Sequence, residues 1–310
     1  MTTIRALILT EYGGAEALRI ATIAPPLAAA GQVLVRVHAA GINGLDWKLR
    51  EGLVRQAFPL QLPTVLGIEL AGVVVAVGEG VTRLRQGDRV MGPLGGLGTY
   101  AEVVAVKAAN LALVPDKLDF VQAAALPLAS VAAWSSLHFA GAIHAGQRIL
   151  IHGAAGGLGG FAVQYARQAG AEVFATARSG HLDYVRGLGA DHVIAHDQER
   201  FEDIASDIDL VLDYAGGDAV RRSWPVLAAG GAIVSAATPD IAANTPAGRR
   251  GLWFVNAPDT ARLQAIADDV AQGRLQSKVG AVVRFEDLPA ANERHRTGST
   301  HGKAVVSLVA

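Results

Sequence analysis

The residues with the plainest chemistry are nine near the middle of the chain, His152-Gly153-Ala154-Ala155-Gly156-Gly157-Leu158-Gly159-Gly160. Aligned with the pattern G-x-G-x-x-G, the register falls on Ala154, Gly156 and Gly159, with alanine in the first place. A glycine at 156 lets a backbone come close to a pyrophosphate, and one at 159 lets a helix pack tightly on the preceding strand. The positive end of that helix then faces the phosphates. Such a motif counts when a strand precedes it and a helix follows, as Arg148 to His152 and Leu158 to Gln168 do here. The plainer reading is a tight strand–helix turn. About twenty residues on, a free ribose 2′-hydroxyl calls for an acidic side chain. The sequence there is Ala175-Thr176-Ala177-Arg178-Ser179, with no Asp or Glu before Asp183. Arg178 is a planar cation suited to a phosphate, and Ser179 carries a hydroxyl. NADP(H) is therefore expected rather than NAD(H), unless Arg178 is an ordinary solvated side chain. Ala155, Gly156, Gly157, Leu158, Thr176, Arg178, Ser179 and His181 are the expected contacts.

The elements around this motif change character along the chain. Residues 1–120 are β-rich: Ile4 to Leu9, Gln32 to His38, Ala71 to Val77, Arg89 to Met91 and Tyr100 to Val106 are short apolar or alternating runs with glycine between them. Phe120 to Ala125 and Ser130 to Ala140 have helical character, and Pro127 breaks any continuous helix. From Arg148 the rhythm is strand, helix, strand, which predicts βαβ units and a doubly wound parallel sheet. An amphipathic helix from Thr260 to Gln272 and strands near Ala281 to Arg284 and Ala304 to Leu308 close the chain. The fold class is α/β in two domains: 1–120 with 255–310, and 121–254.

Composition narrows the function. The chain has 27 Lys and Arg against 28 Asp and Glu, so no basic footprint for nucleic acid or an anionic membrane is present. No 18-residue apolar span and no signal-peptide pattern is read, and the cytoplasm is the expected location. Zero cysteines exclude disulfides, thiolate nucleophiles and cysteine-built zinc sites. His192 and His196 with Asp191 and Asp197 have a metal-like spacing, but they bracket a short strand and are expected at its solvent edge. Arg294-His295-Arg296 is expected to be a solvated loop. No G-x-S-x-G, H-E-x-x-H or G-x-x-x-x-G-K-[ST] occurs.

Several motifs together resemble the medium-chain dehydrogenase/reductase superfamily, and in it the zinc-free quinone oxidoreductase (zeta-crystallin-like) branch. They are Gly41-Ile42-Asn43-Gly44-Leu45-Asp46-Trp47-Lys48, Pro63-Thr64-Val65-Leu66-Gly67 with Ala71-Gly72-Val73-Val74, Gly87-Asp88-Arg89-Val90, the glycine turn, Leu188-Gly189-Ala190-Asp191, and Gly302-Lys303. The resemblance implies a GroES-like β-rich domain beside a Rossmann domain. Asn43 stands where zinc-dependent relatives carry a catalytic Cys, and Gly67-Ile68-Glu69 where they carry Gly-His-Glu. No metal is therefore expected. Departures from the branch are Gly44 for Pro, Glu69 for Asp, Ala132 for a Thr near the nicotinamide, and Arg178, Gly180 and His181 in the 2′-phosphate loop.

Without a metal, hydride must go to an acceptor that is already electrophilic, a quinone or an α,β-unsaturated carbonyl, and the protein need only meet the charge that develops. Asn43 offers amide N–H groups and Lys48 an ammonium, which Asp46 would orient; these are the candidate catalytic residues. Phe254 and Val255 are expected to bring backbone amides to the nicotinamide carboxamide, and Lys303 to reach the cofactor from the last strand. Alternatively, Asn43 is a turn former, Lys48 and Lys303 are surface lysines, and Phe254 is in a buried strand. Tyr100 and Glu102 are read as structural. A homodimer joined by edge strands near Thr245 to Phe254 is expected. Two other functions fit the sequence: an enoyl-thioester reductase, and a non-catalytic NADPH-binding sensor or structural protein.

Overall fold

Six parallel strands make the sheet that carries the glycine turn. The strands His192–Ala195, Glu172–Ala177, Arg148–His152, Ile208–Asp213, Leu227–Ser235 and Arg250–Trp253 lie side by side in that order in the computed structural model, which describes residues 3–296 and 301–309. Chain order thus runs outward in both directions from Arg148–His152, and the reversal falls between it and Ile208–Asp213. In a Rossmann sheet that reversal marks the ligand crevice, at the carboxyl ends of the strands. Central parallel strands are covered on both faces, so Ile149, Leu150 and Ile151 form an unbroken apolar run with no exposure. Helix Gly157–Gln168 buries Phe161, Ala162, Val163 and Ala166 and turns Arg167 and Gln168 to water.

This sheet belongs to a compact unit, Ala129–Ala257, and residues 1–128 with 258–310 form the other. The division comes at Ala129 rather than 121 because helix Phe120–Ala124 packs on strands Gln32–Ile42 and Glu69–Val77 of the first unit. Helix Ala129–Phe139 packs instead on Gly157–Gln168. The second crossover likewise comes after Ala257 rather than after 254. One expectation is corrected here. Phe120–Phe139 does pass as a 20-residue apolar span by length and composition, but two-thirds (67%) of it is buried inside the protein.

In the first unit, one sheet runs Val279–Arg284, Lys303–Ser307, Gln32–Ile42, Glu69–Val77, Arg89–Pro93 and Ala112–Leu113, with Val103–Lys107 also on Gln32–Ile42. All these pairs are antiparallel except Val279–Arg284 with Lys303–Ser307. A smaller sheet joins Leu18–Ile23, Ile4–Leu9 and Thr64–Val65. Val33, Val35, Leu70, Val74 and Val106 fill the core with no exposure. Helix Gly44–Arg50 begins with the Asn43 N–H donated to Asp46 Oδ2 (2.7 Å). Its other end is fixed by the fully buried Arg50, which donates to Asn292 Oδ1 (2.8 Å), Glu51 Oε1 (2.8 Å) and Glu293 Oε2 (2.7 Å). Asn292 and Glu293 belong to helix Leu288–Arg296, so Arg294-His295-Arg296 is the last turn of a helix and not a loop. Basic residues suit that end of a helix dipole. Arg296 also pairs with Glu293 (2.5 Å) and Glu51 (3.5 Å).

His152 ends the first strand of the parallel sheet and is buried. Ser223 Oγ donates its one hydrogen to Ala219 O (2.7 Å), so it accepts from His152 Nε2–H (2.9 Å). Nδ1 is then the acceptor for the Thr176 hydroxyl (3.0 Å). Burial holds His152 neutral, down to about 4, and does the same to His295 in the other unit, also to about 4, with the Lys303 charge adding to it. Between pH 6.5 and about 4 the unfolded chain therefore binds protons that the native histidines refuse, and stability is lost as pH falls through that window. Asp46, raised to about 6 by burial, acts with the opposite sign and offsets part of the loss. Denaturant midpoints should stay level just above pH 6.5 and fall steadily toward about 4. A midpoint that is level or rising there contradicts this account.

Candidate functional site

The glycine turn is built mainly from backbone. Gly153 takes φ +73°, a left-handed conformation that makes the sharp exit from the strand. The turning glycine thus lies one place before Ala154, which is why alanine is tolerated in the motif's first position. Ala154 N–H donates to Thr176 O (3.1 Å) and Gly156 N–H to Gly153 O (3.0 Å). Gly156 is the N-cap of helix Gly157–Gln168, with φ −77°. The next two glycines answer to different constraints. A Cβ on Gly159 would lie 2.2 Å from Gly153 O, so the fold itself requires glycine there. A Cβ on Gly156 would meet only Gly153 O, at 3.3 Å, a tight contact that a shift of a few tenths of an ångström relieves. Open space over a helix N-terminus, with Gly156, Gly157 and Leu158 partly exposed and Ala155 buried beneath, fits a dinucleotide pyrophosphate.

The neighbouring loop only partly follows expectation. Among the described residues, the exposed Arg178 has no side-chain partner and keeps its charge available. Ser179 is already engaged: its N–H donates to Asp197 Oδ1 (2.9 Å) and its hydroxyl to Oδ2 (2.8 Å). That hydroxyl holds the Asp197 carboxyl below its ordinary range. Thr176 is buried, with its hydroxyl committed to His152 and its carbonyl to Ala154, so it supports the turn from below. His181 N–H closes the loop on Arg178 O (2.9 Å). Phe254 is buried, its ring edge-on to Phe139 at 5.4 Å and its N–H donated to Ser235 O (2.9 Å), while Val255 is exposed. His192 lies beside the sheet on Glu172 Oε1 (2.8 Å) and stacks on Phe174.

Sequence reasoning missed Asp213. Fully buried at the end of Ile208–Asp213, it accepts from Ala215 N–H (3.1 Å), Gly216 N–H (2.8 Å), Ser235 Oγ (2.5 Å) and Thr238 Oγ1 (3.2 Å). One carboxylate thereby ties together the loops that follow strands Ile208–Asp213 and Leu227–Ser235. An acid closing an apolar strand was the available signal.

In the first unit Asn43, Glu69 and Lys303 form a buried cluster. Lys303 Nζ lies 2.5 Å from Asn43 Oδ1 and 2.5 Å from Glu69 Oε1. Asn43 Nδ2 donates to Glu69 Oε1 (2.9 Å) and Gly41 O (3.3 Å). Glu69 Oε2 accepts from Leu128 N–H (2.8 Å). Gly41 is glycine because a Cβ there would lie 2.3 Å from Glu69 Oε1. Below, Tyr100 donates its hydroxyl to Asp46 Oδ2 (2.7 Å), and Asp46 Oδ1 is buried without a hydrogen-bond partner. Burial raises the Asp46 carboxyl to about 6 and drives the Tyr100 hydroxyl well above its usual value.

Three expectations are corrected by this geometry. Asp46 does not orient Lys48, whose ammonium lies 5.7 Å from the Trp47 ring; the carboxylate serves the helix start and Tyr100 instead. Asn43 has no N–H to spare, because both amide hydrogens are committed. Lys303 is not a surface lysine but is bound into this cluster by two of its ammonium hydrogens. Zinc does not fit these residues: Asn43 is a neutral amide, Ile68 is aliphatic, and Glu69 is already neutralised by an ammonium. Among the described residues no group of three or more His, Cys, Asp or Glu could hold a metal ion.

A β-rich unit with a parallel dinucleotide sheet and a glycine turn defines a two-domain nicotinamide-type dehydrogenase fold. The chain matches the alcohol dehydrogenase GroES-like domain over residues 29–116 and the zinc-binding dehydrogenase family over 188–306. It is 34% identical to a 2-methylene-furan-3-one reductase from Solanum lycopersicum over 310 aligned residues, covering 96% of this chain and 77% of that one. Several other curated relatives are longer, and the chain spans less than two-thirds of their length. The structure of a quinone oxidoreductase from Coxiella burnetii superposes with a TM-score of 0.94 at 29% identity, over 99% of this chain and 100% of the other. An Escherichia coli quinone oxidoreductase complexed with NADPH gives 0.86 at 26% identity, over 98% and 100%. The chain belongs to the medium-chain dehydrogenase/reductase superfamily and is an oxidoreductase of that class.

The two glycines should separate binding from folding. Gly156→Ala should lower the melting temperature much less than Gly159→Ala while weakening dinucleotide affinity at least tenfold, read by quenching of intrinsic fluorescence. Gly159→Ala should lower the melting temperature itself, because the clash is with backbone. Equal loss of stability in both variants would remove the assignment of Gly156 to a ligand.

Proposed function

We propose that the protein is an NADPH-dependent, zinc-independent reductase of quinones or α,β-unsaturated carbonyls. The observation that carries this reading is the ammonium of Lys303 between Asn43 and Glu69, in place of a metal-ligand set. With no Lewis acid to polarise a simple carbonyl, the acceptor must bring its own conjugation, and the chain need only offer a positive hydrogen-bond donor to the oxygen that gains charge. When bound, the dihydronicotinamide supplies the hydride. The names and NADPH complex of the quinone oxidoreductase neighbours, and the enone-type substrate in the name of the tomato relative, support the same reading.

The coenzyme half is assigned to the turn at 153–159 and to Arg178, the free cation near the end of the second strand. Ser179 and His181 shape that loop, and the exposed Val255 is assigned to the carboxamide end, whereas the N–H of the buried Phe254 is already spent on Ser235 O. The strand Arg250–Trp253 is an edge of its sheet, and pairing with a second copy there would cover its open hydrogen-bonding groups. We therefore assign a homodimer. NADPH oxidation measured across quinones, enals and enoyl-CoA tests the activity. Turnover restricted to enoyl-CoA would favour a thioester reductase, and none with any acceptor would favour a binding protein.

Coenzyme choice has a sharper test. Arg178→Ala should weaken NADPH by about 1.5 kcal/mol, roughly tenfold in Kd, and leave NADH nearly unchanged. Asp197→Asn should act in the other direction, because it removes the negative charge that Ser179, next to Arg178 in the chain, now holds and leaves one oxygen instead of two to accept from Ser179. Calorimetric titration of both coenzymes reads the outcome, and equal weakening of NADPH and NADH by Arg178→Ala would reassign that residue to the fold.

A further inference from the structure

We propose that Lys303 is a catalytic residue: its ammonium, held by Glu69 and Asn43, donates its remaining N–H to the acceptor oxygen on which negative charge collects. This rests on the reductase reading above and names the group that performs its acceptor half. An ammonium has three hydrogens. Two of those on Lys303 point to Asn43 Oδ1 and Glu69 Oε1, which leaves one. Every other donor of the cluster is committed: both Asn43 amide hydrogens go to Glu69 and Gly41, and the Tyr100 hydroxyl goes to Asp46. Lys48, the ammonium favoured by the motif, lies by Trp47 and makes no bond to these residues.

The setting suits this role better than a structural one. Lysine is almost never buried unless paired, and the Lys303 side chain, 7% exposed, is paired with a carboxylate that is itself 0% exposed. Register does not need the pair, because Ala304, Val305, Val306 and Ser307 already bond to strand Gln32–Ile42 through the backbone. Glu69 is fixed in turn by Leu128 N–H, so the ammonium is held in place before any acceptor arrives. A donor prearranged away from water gives its full electrostatic effect to a developing anion.

The electron balance is simple. As the coenzyme's C4–H bond breaks, a C–H bond forms at the β carbon of an enal, or an O–H bond at one oxygen of a quinone, and the coenzyme is oxidised by two electrons. The acceptor gains that pair, which settles on its oxygen as an enolate or phenolate hydrogen-bonded to Lys303. A proton from water completes the product, and Lys303 is unchanged.

The test uses the full-length protein with NADPH and two acceptors, a quinone and an enal. Lys303→Met alone leaves Glu69 buried without a counter-charge, so it is paired with Glu69→Gln to make a neutral core; Lys303→Gln with Glu69→Gln is a second neutral pair that keeps hydrogen bonds within the cluster. Both doubles should keep the parent's NADPH Kd within twofold and its melting temperature within a few degrees. Their kcat should fall about tenfold for the quinone and about a hundredfold for the enal, which depends more on an outside donor. Lys303→Arg, which keeps a charge on the same carboxylate, should restore part of the enal rate. A neutral pair that reduces both acceptors at the parent rate overturns the proposal. So does a loss of NADPH affinity matching the loss of rate, which would return Lys303 to the cofactor. A parent protein that reduces neither acceptor overturns the reductase reading, and this assignment with it.

Discussion

A carboxylate and an ammonium taken out of water set the terms for the first unit. Glu69 is wholly buried and Lys303 nearly so. Each would be costly alone, and removing either leaves the other as an uncompensated charge. The surrounding residues are arranged to make the pair tolerable. Asn43 gives an oxygen to Lys303 and a hydrogen to Glu69, Leu128 gives its N–H to the second Glu69 oxygen, and Gly41 leaves the space the carboxylate fills. Asn43 in turn opens helix Gly44–Arg50, whose far end is fixed by Arg50 on Asn292 and Glu293. A strand from the end of the chain, a strand near its start and two helices thus meet around one pair of charges.

The second unit is organised differently, by close backbone approach. The turn at 153–159 works because Gly153 bends left-handed and Gly159 presents no side chain to its carbonyl. Side chains below then hold the turn. His152 bridges Thr176 and Ser223, and Asp213 gathers the loops after two strands. Phosphate recognition by main-chain N–H groups needs a fixed backbone, and these buried hydrogen bonds supply it without adding a charge at the helix end.

These two designs explain what could be read from the residues in advance. The parallel sheet, the glycine turn and the strand–helix rhythm were legible because they depend on local pattern: apolar runs, glycines at fixed offsets, breaks at turns. Strand Arg148–His152 has the expected ends. Leu18–Ile23, with arginine in it and mixed exposure, has no clean alternation and was missed. So was helix Leu288–Arg296, where a proline near the start and a run of charges conceal the few apolar positions that dock it.

Side-chain partnerships were less legible for a physical reason. Asn43, Asp46 and Lys48 lie within one short motif, and proximity in the chain suggested that Asp46 would serve Lys48. On a helix, positions two apart point to different sides. Asp46 turns inward to its own helix start and to Tyr100, 54 residues away, while Lys48 turns toward Trp47. The ammonium that does reach Asn43 comes from 260 residues further along, on a strand beside Gln32–Ile42. Nothing local in Gly302-Lys303 distinguishes a buried lysine from a surface one. What singles it out is the register of an antiparallel pairing, Ala304 opposite Ile42, which sets the lysine beside the start of helix Gly44–Arg50. A chemical site held by backbone can therefore be read from spacing, whereas one held by side chains across a sheet is defined only once the sheet's register is known.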